Sequence, residues 1–382
     1  MKERSMLSPV LLALERIVRK KQVAPAQVRQ LLILEYRLPL GCCVHLTPLF
    51  EALKRCRPEL CIAVATRGLG SQVLRHSPFI DHLIETPDPL IDLCSTVKHL
   101  RHALRTLNFT PDCVLTGASD QRTRISLLGL FASSGWRGGY TQKPALYQRP
   151  LVYDRTLSLI NNNLRLAKLL DCTPQIKEPH VSFSQSDAEA AASLLRQANP
   201  QGNPIVIMVT ANSGGQSTGW HSDRFVQVIK AAHTRGCTVV YVGTAADVNP
   251  IEALSQAANG IGTSIAGKTT VTQLAAVLAM SDVMVTLDTG TMHVGRATGV
   301  PMVVLGPSWQ KPLEWLPLGI ENVRILRGED RDTVPSNYHL DEISADSVIA
   351  ALNELLLKYP ASLKARESRI QRSLANVDHL PR

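Results

Sequence analysis

The sequence predicts an α/β protein built from two Rossmann-like parallel-sheet domains. Three observations carry that prediction. Short apolar runs of four to six residues alternate with longer amphipathic stretches along most of the chain, the pattern of βαβ units. The length, 382 residues with 45% hydrophobic residues, suits about two ordinary domains. A proline-bearing stretch, Thr173–Pro179, separates the two halves and reads as a linker.

The first 29 residues read as one or two helices, with Leu7, Val10, Leu11, Leu14 and Ile17 at helical spacing and Arg16, Arg19, Lys20 and Lys21 clustered beside them. Such a stretch either packs on its own domain or lies on an anionic membrane surface. An N-terminal domain follows over residues 30–178. Its strands are expected at Leu31–Leu34, Cys61–Thr66, Asp81–Glu85 and Asp112–Leu115, with helices between them. Tyr140–Asp154, with two prolines, reads as irregular, and Leu157–Leu170 as a helix. A C-terminal domain spans 179–340. It has expected strands at Pro204–Val209, Cys237–Val242, Val283–Leu287, Val300–Leu305 and Val323–Leu326, and helices over Ser184–Gln197, Ser222–Arg235 and Thr272–Ala279. Residues 341–382 form two final helices, expected to reach back across the N-terminal domain.

The formal net charge is +9, which favours acidic partners such as phosphorylated sugars. Nucleic acid is not among the expected partners, because no binding signature is present and aromatics are only 4%. The eight cysteines form no C-x-x-C pair and no zinc spacing, and most lie in apolar runs as small hydrophobes. No secretory signal and no run of about 20 apolar residues is found. A reducing, cytoplasmic setting is the expectation, with no cofactor and no metal.

One stretch concentrates the chemistry: S-D-V-M-V-T-L-D-T-G-T-M-H-V-G-R-A-T-G-V-P-M-V-V-L-G-P-S, Ser281–Ser308. Strand, turn, helix and strand make one βαβ unit, with Gly299 ending the helix Thr291–Thr298. Asp288, Thr289, Gly290 and His293 then fall at the carboxyl end of a strand, where open α/β sheets bind ligands. Backbone N–H groups and the helix dipole there suit phosphate oxygens. The plainer reading makes Asp288 or Thr289 a helix cap.

D-T-G-x-x-H followed by A-x-G-V-P and L-G-P-S resembles the nucleotide-sugar site of glycosyltransferase family 9, the ADP-heptose:lipopolysaccharide heptosyltransferase family. The resemblance implies the GT-B arrangement, two Rossmann-like domains facing across a cleft, donor on the C-terminal one and acceptor on the N-terminal one. It implies inverting, metal-independent transfer of a heptose-like sugar from an ADP-sugar to a lipopolysaccharide-core or other glycan acceptor. No Asp-x-Asp metal motif is expected. Donor-side residues on this resemblance are Asp288, Thr289, Gly290, His293, Lys268 and Thr269, with Ser213 and Thr218 in the glycine- and hydroxyl-rich stretch after Val209. Thr218 stands where the family commonly carries a lysine. Gly262–Thr269 also spells a P-loop, but polar residues 255–260 precede it where a strand is required.

On the acceptor side, Gly41, His45 and Pro48 match the family's G-x-x-x-H-x-x-P, and Arg122 and Arg124 are expected to meet acceptor phosphates. Cys42 stands at the position of the family's base aspartate. A thiol with a pKa near ~8.5 is mostly protonated at neutral pH, whereas His45, one turn along, has the right proton affinity. The alternative is a catalytically impaired homologue that binds nucleotide-sugar without turnover. Partners are then a nucleotide-sugar, a glycolipid or oligosaccharide, and, for the basic N-terminal helix, the cytoplasmic face of the inner membrane.

Overall fold

The computed structural model describes residues 23–37, 39–175, 178–210, 219–333 and 338–375. The expected helix over residues 1–22 and the calls on Ser213 and Thr218 lie outside them. The chain divides into two compact units. The first takes the residues up to Leu38 and His45–Pro179; the second takes Pro39–Val44 and the residues from His180 onward.

In the first unit the order is β1 (Gln30–Leu34), α1 (Leu40–Cys56), β2 (Cys61–Thr66), α2 (Leu69–Leu74), β3 (His82–Glu85), α3 (Leu93–Thr106), β4 (Cys113–Thr116), α4 (Thr123–Ala132), β5 (Trp136–Tyr140), β6 (Arg149–Leu151) and α5 (Leu159–Lys168). The strands pair in parallel in the order β3-β2-β1-β4-β5-β6. Leu31–Leu34 are fully buried, as the apolar run of a strand covered on both faces requires.

The stretch expected to be irregular, Tyr140–Asp154, contains β6, and β5 ends at its first residue. The composition hid both. Gly138 and Gly139 weaken the strand signal of β5, yet a Cβ on Gly139 would run into the Thr116 carbonyl of β4, and its φ is +103°. Pro150 is admitted because β6 is an edge strand.

A disulfide joins Cys56, at the end of α1, to Cys172, just past α5, across 116 residues of sequence. The expectation of unpaired cysteines throughout is corrected here, and with it the cysteine argument for a reducing compartment. Nothing in the spacing announced the pairing. Two helix ends converge, bringing the Cα atoms within 5.9 Å. This bond is the disulfide seen among the described residues.

The second unit repeats the plan. It runs α6 (Gln185–Ala198), β7 (Ile205–Val209), α7 (Ser222–Thr234), β8 (Thr238–Tyr241), α8 (Val248–Ala257), β9 (Thr263–Ser264), α9 (Val271–Ala279), β10 (Val283–Leu287), α10 (Gly290–Thr298), β11 (Met302–Leu305), α11 (Pro312–Trp315), β12 (Val323–Leu326), α12 (Ala345–Lys358) and α13 (Leu363–Ser373). The parallel order is β12-β11-β10-β7-β8-β9. Counted from each unit's own first strand, both sheets read 3-2-1-4-5-6. The strand order therefore reverses beside β1 and β4 in one unit and beside β7 and β10 in the other.

The sequence reading sends the last helices back across the first domain. Their described contacts lie within the second unit. Arg366 pairs with Asp282, Nε to Oδ1 at 2.9 Å. Arg369 donates to the carbonyls of Ala279 and Ser281 at the end of α9, and Arg372 to that of Ala297 in α10. Of these three arginines at helical spacing, Arg369 and Arg372 thus cap helix C-termini, where the dipole favours cations, while Arg366 neutralises a carboxylate. Among the described residues no helix is long and apolar enough to cross a membrane.

Candidate functional site

In the second unit, β10 is wholly buried and delivers Asp288 and Thr289 to the carboxyl edge of the sheet. α10 begins at Gly290, with Thr289 in extended backbone as its N-cap residue (φ −136°, ψ 172°). The Thr289 side chain makes no capping bond. α10 ends at Gly299, whose φ of +77° is the left-handed cap expected of glycine. Gly295 lets the helix settle on the methionines of β10 and β11, Met284 and Met302.

Asp288 is buried, and so is His293 one turn into α10. His293 Nε2 lies 3.8 Å from Asp288 Oδ1, beyond hydrogen-bond reach. With its amide nitrogen turned toward Asp288, Gln310 donates to Oδ2 at 2.8 Å, and its oxygen accepts from Trp315 Nε1 at 3.2 Å. Trp315 also meets the His293 ring edge-on, centroids 6.1 Å apart. Among the described residues, Asp288 Oδ1 and Thr289 Oγ1 are buried without a hydrogen-bond partner. Such atoms cost free energy, about 1–3 kcal/mol each, unless a ligand satisfies them.

Burial sets the charges. It pushes the Asp288 carboxyl up to about 6, and it pushes the His293 imidazole down to about 3, with the nearby Arg296 charge adding to the effect. At neutral pH His293 is therefore neutral and offers one N–H, while Asp288 is mostly ionised.

Lys268 and Thr269 follow the left-handed Gly267, whose N–H bonds to the Gly243 carbonyl at 3.0 Å. The structure thus joins the A-G-K-T segment to the turn after β8. Lys268 is exposed, its Nζ donating to the Ser264 carbonyl at 3.3 Å. α9 then opens on a capping box made by Thr270 and Gln273. α8 and a turn precede the loop, in place of the strand a P-loop needs. An Asp-x-Asp triplet does occur, Asp330-Arg331-Asp332, contrary to the expectation that the chain has none. It is exposed, and Asp330 is ion-paired with Arg327 at 2.7 Å.

Gly41, Cys42 and His45 fall in the first two turns of α1, Gly41 and Cys42 counted with the second unit and His45 with the first, and Cys42 and His45 are buried. The His45 carbonyl accepts from Asn163 Nδ2 at 3.1 Å. Arg122 grips Asp120 through both Nε and Nη2, at 2.6 and 2.7 Å, and also reaches the Tyr36 carbonyl. Arg124 donates to the Leu90 carbonyl. Both arginines expected to meet acceptor phosphates are thus engaged by the protein.

Three residues went unmarked as site residues in the sequence: Gln310 and Trp315, which complete the Asp288 network, and Glu35. Glu35 is the charge that directly follows the apolar strand L-L-I-L, at the carboxyl end of β1, and it is fully buried. That position was a readable signal.

Two Rossmann-like parallel-sheet units, each with the strand order reversing beside its first strand, make the GT-B type of fold. The family model described as glycosyltransferase family 9 (heptosyltransferase) matches residues 98–333, and the chain belongs to that family. Over 333 residues it is 22% identical to lipopolysaccharide heptosyltransferase 3 of Escherichia coli, covering 81% of this chain and 94% of the relative. The crystal structure of a family 9 glycosyltransferase from Veillonella parvula superposes with a TM-score of 0.77 at 21% identity, over 89% of this chain and all of that one. The E. coli ADP-heptose lps heptosyltransferase II gives 0.73 at 21% identity, over 87% and 100%.

Proposed function

We propose that this glycosyltransferase moves a heptose-like sugar from an ADP-sugar to a lipopolysaccharide-core acceptor, with inversion and without a metal ion. The observation that carries the donor side is the pair of buried atoms without hydrogen-bond partners among the described residues, Asp288 Oδ1 and Thr289 Oγ1, beside the N-terminus of α10. The relatives' names, which specify lipopolysaccharide and ADP-heptose, support the substrate classes.

On this reading the diphosphate lies against the first N–H groups of α10, with Thr289 Oγ1 and the neutral His293 N–H as further donors. Asp288 Oδ1 accepts from a hydroxyl of the donor. Lys268 and Thr269 flank the nucleotide. A base removes the proton of the attacking acceptor hydroxyl. That oxygen bonds to the anomeric carbon as the bond to the diphosphate breaks, and ADP leaves with the electron pair. Cys42 occupies the family's base position, and we assign the proton to His45, one turn along the same helix. The reaction is assigned to the cytoplasm, with the basic N-terminal stretch touching the membrane surface.

A second reading, a homologue that binds nucleotide-sugar without turnover, is favoured by one observation, the thiol at Cys42. One assay separates the two. The purified chain is given ADP-heptose and a heptose-deficient core acceptor, with and without EDTA. Stoichiometric ADP and an acceptor heavier by one heptose, unaffected by EDTA, are expected. Donor binding without ADP release, with Cys42→Asp switching turnover on, would establish the second reading. His293→Ala is expected to weaken donor binding by roughly tenfold or more in calorimetry, from a lost hydrogen bond to a charged group of about 1.5–3 kcal/mol. An unchanged affinity removes His293 from the site.

A further inference from the structure

The carboxyl edge of the first sheet carries a cluster that the reading above leaves unused. Glu35 follows β1 and Ser119-Asp120-Gln121-Arg122 follow β4, the two strands beside which the order reverses. Glu35 Oε1 accepts from the Arg37 N–H at 3.0 Å. Ser119 Oγ lies 3.3 Å from Oε1 and 3.2 Å from Oε2. Oε2 also sits where a side chain on residue 117 would be, 2.8 Å from the position of a Cβ, so that only Gly117 admits it. One carboxyl thereby fastens the loop after β1 to the loop after β4. Glu35 and Asp120 are each about 1% exposed.

We propose that Glu35 is a positioning residue for the acceptor, a protonated carboxyl that staples these two loops and leaves Asp120 to Arg122. This rests on the transferase reading. The charges around it fit. Asp120 is held by both nitrogens of Arg122. Asp88, which acts on Arg122, is itself ion-paired with Arg67. Arg37 contributes its backbone N–H, and α5 contributes Asn163, whose Oδ1 already accepts from Ala118 N–H at 2.9 Å. Asp120 therefore holds the Arg122 cation directly, while that cation acts on Glu35 only as the weakest of its influences. With Oε1 taken by an N–H, the proton belongs on Oε2, pointing to Ser119 Oγ. Burial first, then the Asp120 charge, pushes the Glu35 carboxyl up to about 8. Ionisation would turn the Ser119 hydroxyl round to donate and set two carboxylates against one guanidinium, drawing Arg122 away from Asp120. Because Asp120 neutralises Arg122, the edge it forms recognises acceptor hydroxyls in preference to phosphates.

The test is the acceptor KM between pH 6 and 9.5 for the full chain, Glu35→Gln, Glu35→Ala and Gly117→Ala. In the native chain KM should stay level to about pH 7.5 and rise about tenfold per unit above pH 8, with donor KM unmoved. Glu35→Gln, which cannot ionise, should hold its pH 7 value within about threefold and lose the alkaline rise. Glu35→Ala and Gly117→Ala should raise KM at pH 7 more than tenfold. A level native KM, or a Glu35→Gln profile that tracks the native one, overturns the proposal. The Glu35 carboxyl is also titrated by 13C NMR in the native chain, independently of turnover and of whether the variants fold. A midpoint near 8 supports the proposal, and one below 5 overturns it. A native chain that makes no ADP but titrates near 8 overturns the transferase reading, while the proton-bearing staple stands.

Discussion

The two switch points are built on one plan and finished in opposite ways. In the first unit every polar oxygen of Glu35 and Asp120 has a partner: Arg37 N–H, Ser119 Oγ, or the Arg122 guanidinium. In the second, Gln310 holds one oxygen of Asp288 while the other, and Thr289 Oγ1, have no hydrogen-bond partner among the described residues. A completed cluster is a support for whatever binds beside it. An incomplete one is the place where a ligand recovers the cost of burial. The identical 3-2-1-4-5-6 topology does not decide which is which; a few residues after two strands do.

The units are also fastened differently, and this gives the largest effects. Asp282 is almost fully buried; it receives the Ile205 N–H at 2.7 Å and the Arg366 guanidinium. Arg366→Ala leaves that carboxylate short of its cation, so the expected loss is about 3–5 kcal/mol in the stability of the second unit. Hydrogen exchange should show it in β7 and β10 and spare β1 and β4. Equal loss in both sheets would mean that the two units unfold as one. In the first unit the Cys56–Cys172 disulfide plays the fastening part. Reduction, or Cys56→Ser with Cys172→Ser, is expected to cost about 2–4 kcal/mol there, read as faster exchange in β1 and β4. Thiol titration of the denatured chain before and after reduction should differ by two thiols, and equal counts would remove the bond.

Why the first unit was harder to read than the second follows from where the signal lies. The second sheet's strands are continuous apolar runs, and D-T-G-x-x-H marks a single turn, so the fold and the position of that turn were legible. β5, Trp136-Arg-Gly-Gly-Tyr, has two glycines and a buried arginine, Arg137, in five residues, and no periodicity rule selects it. The disulfide joins positions 116 residues apart and has no local mark. Arg122 is held by Asp120, two residues earlier, and a sequence does not show that fold-back. Gln310 lies 22 residues past Asp288, and only the folded loop after β11 brings it back.

The smallest expected change is a cancellation in the second unit, where the Asp288 carboxyl is raised to about 6 and the His293 imidazole is lowered to about 3. A raised carboxyl favours the folded state most when protonated, so its contribution is lost as pH rises from about 4 through 6. A lowered imidazole favours it when neutral, so its contribution is lost as pH falls from about 6.5 toward 3. Between about pH 6 and 4 the folded unit takes up a proton at Asp288 while the unfolded chain takes one up at His293. The slopes oppose, and these two groups together should leave the protection of β10 nearly level. Asp288→Asn removes one side of the balance, and protection relative to the native chain should then fall with acid by about 1.4 kcal/mol per pH unit. His293→Gln removes the other, and protection relative to the native chain should rise by a similar amount. Glu35 has no such counterweight in the first unit. The protection of β1 should therefore decline from about pH 4.5 to 8, whereas in the second unit His180, lowered by burial to about 4, adds a loss of β10 protection as pH falls below about 6.5. Parallel pH profiles for the two strands would mean that the two switch points do not differ in the way their buried groups indicate.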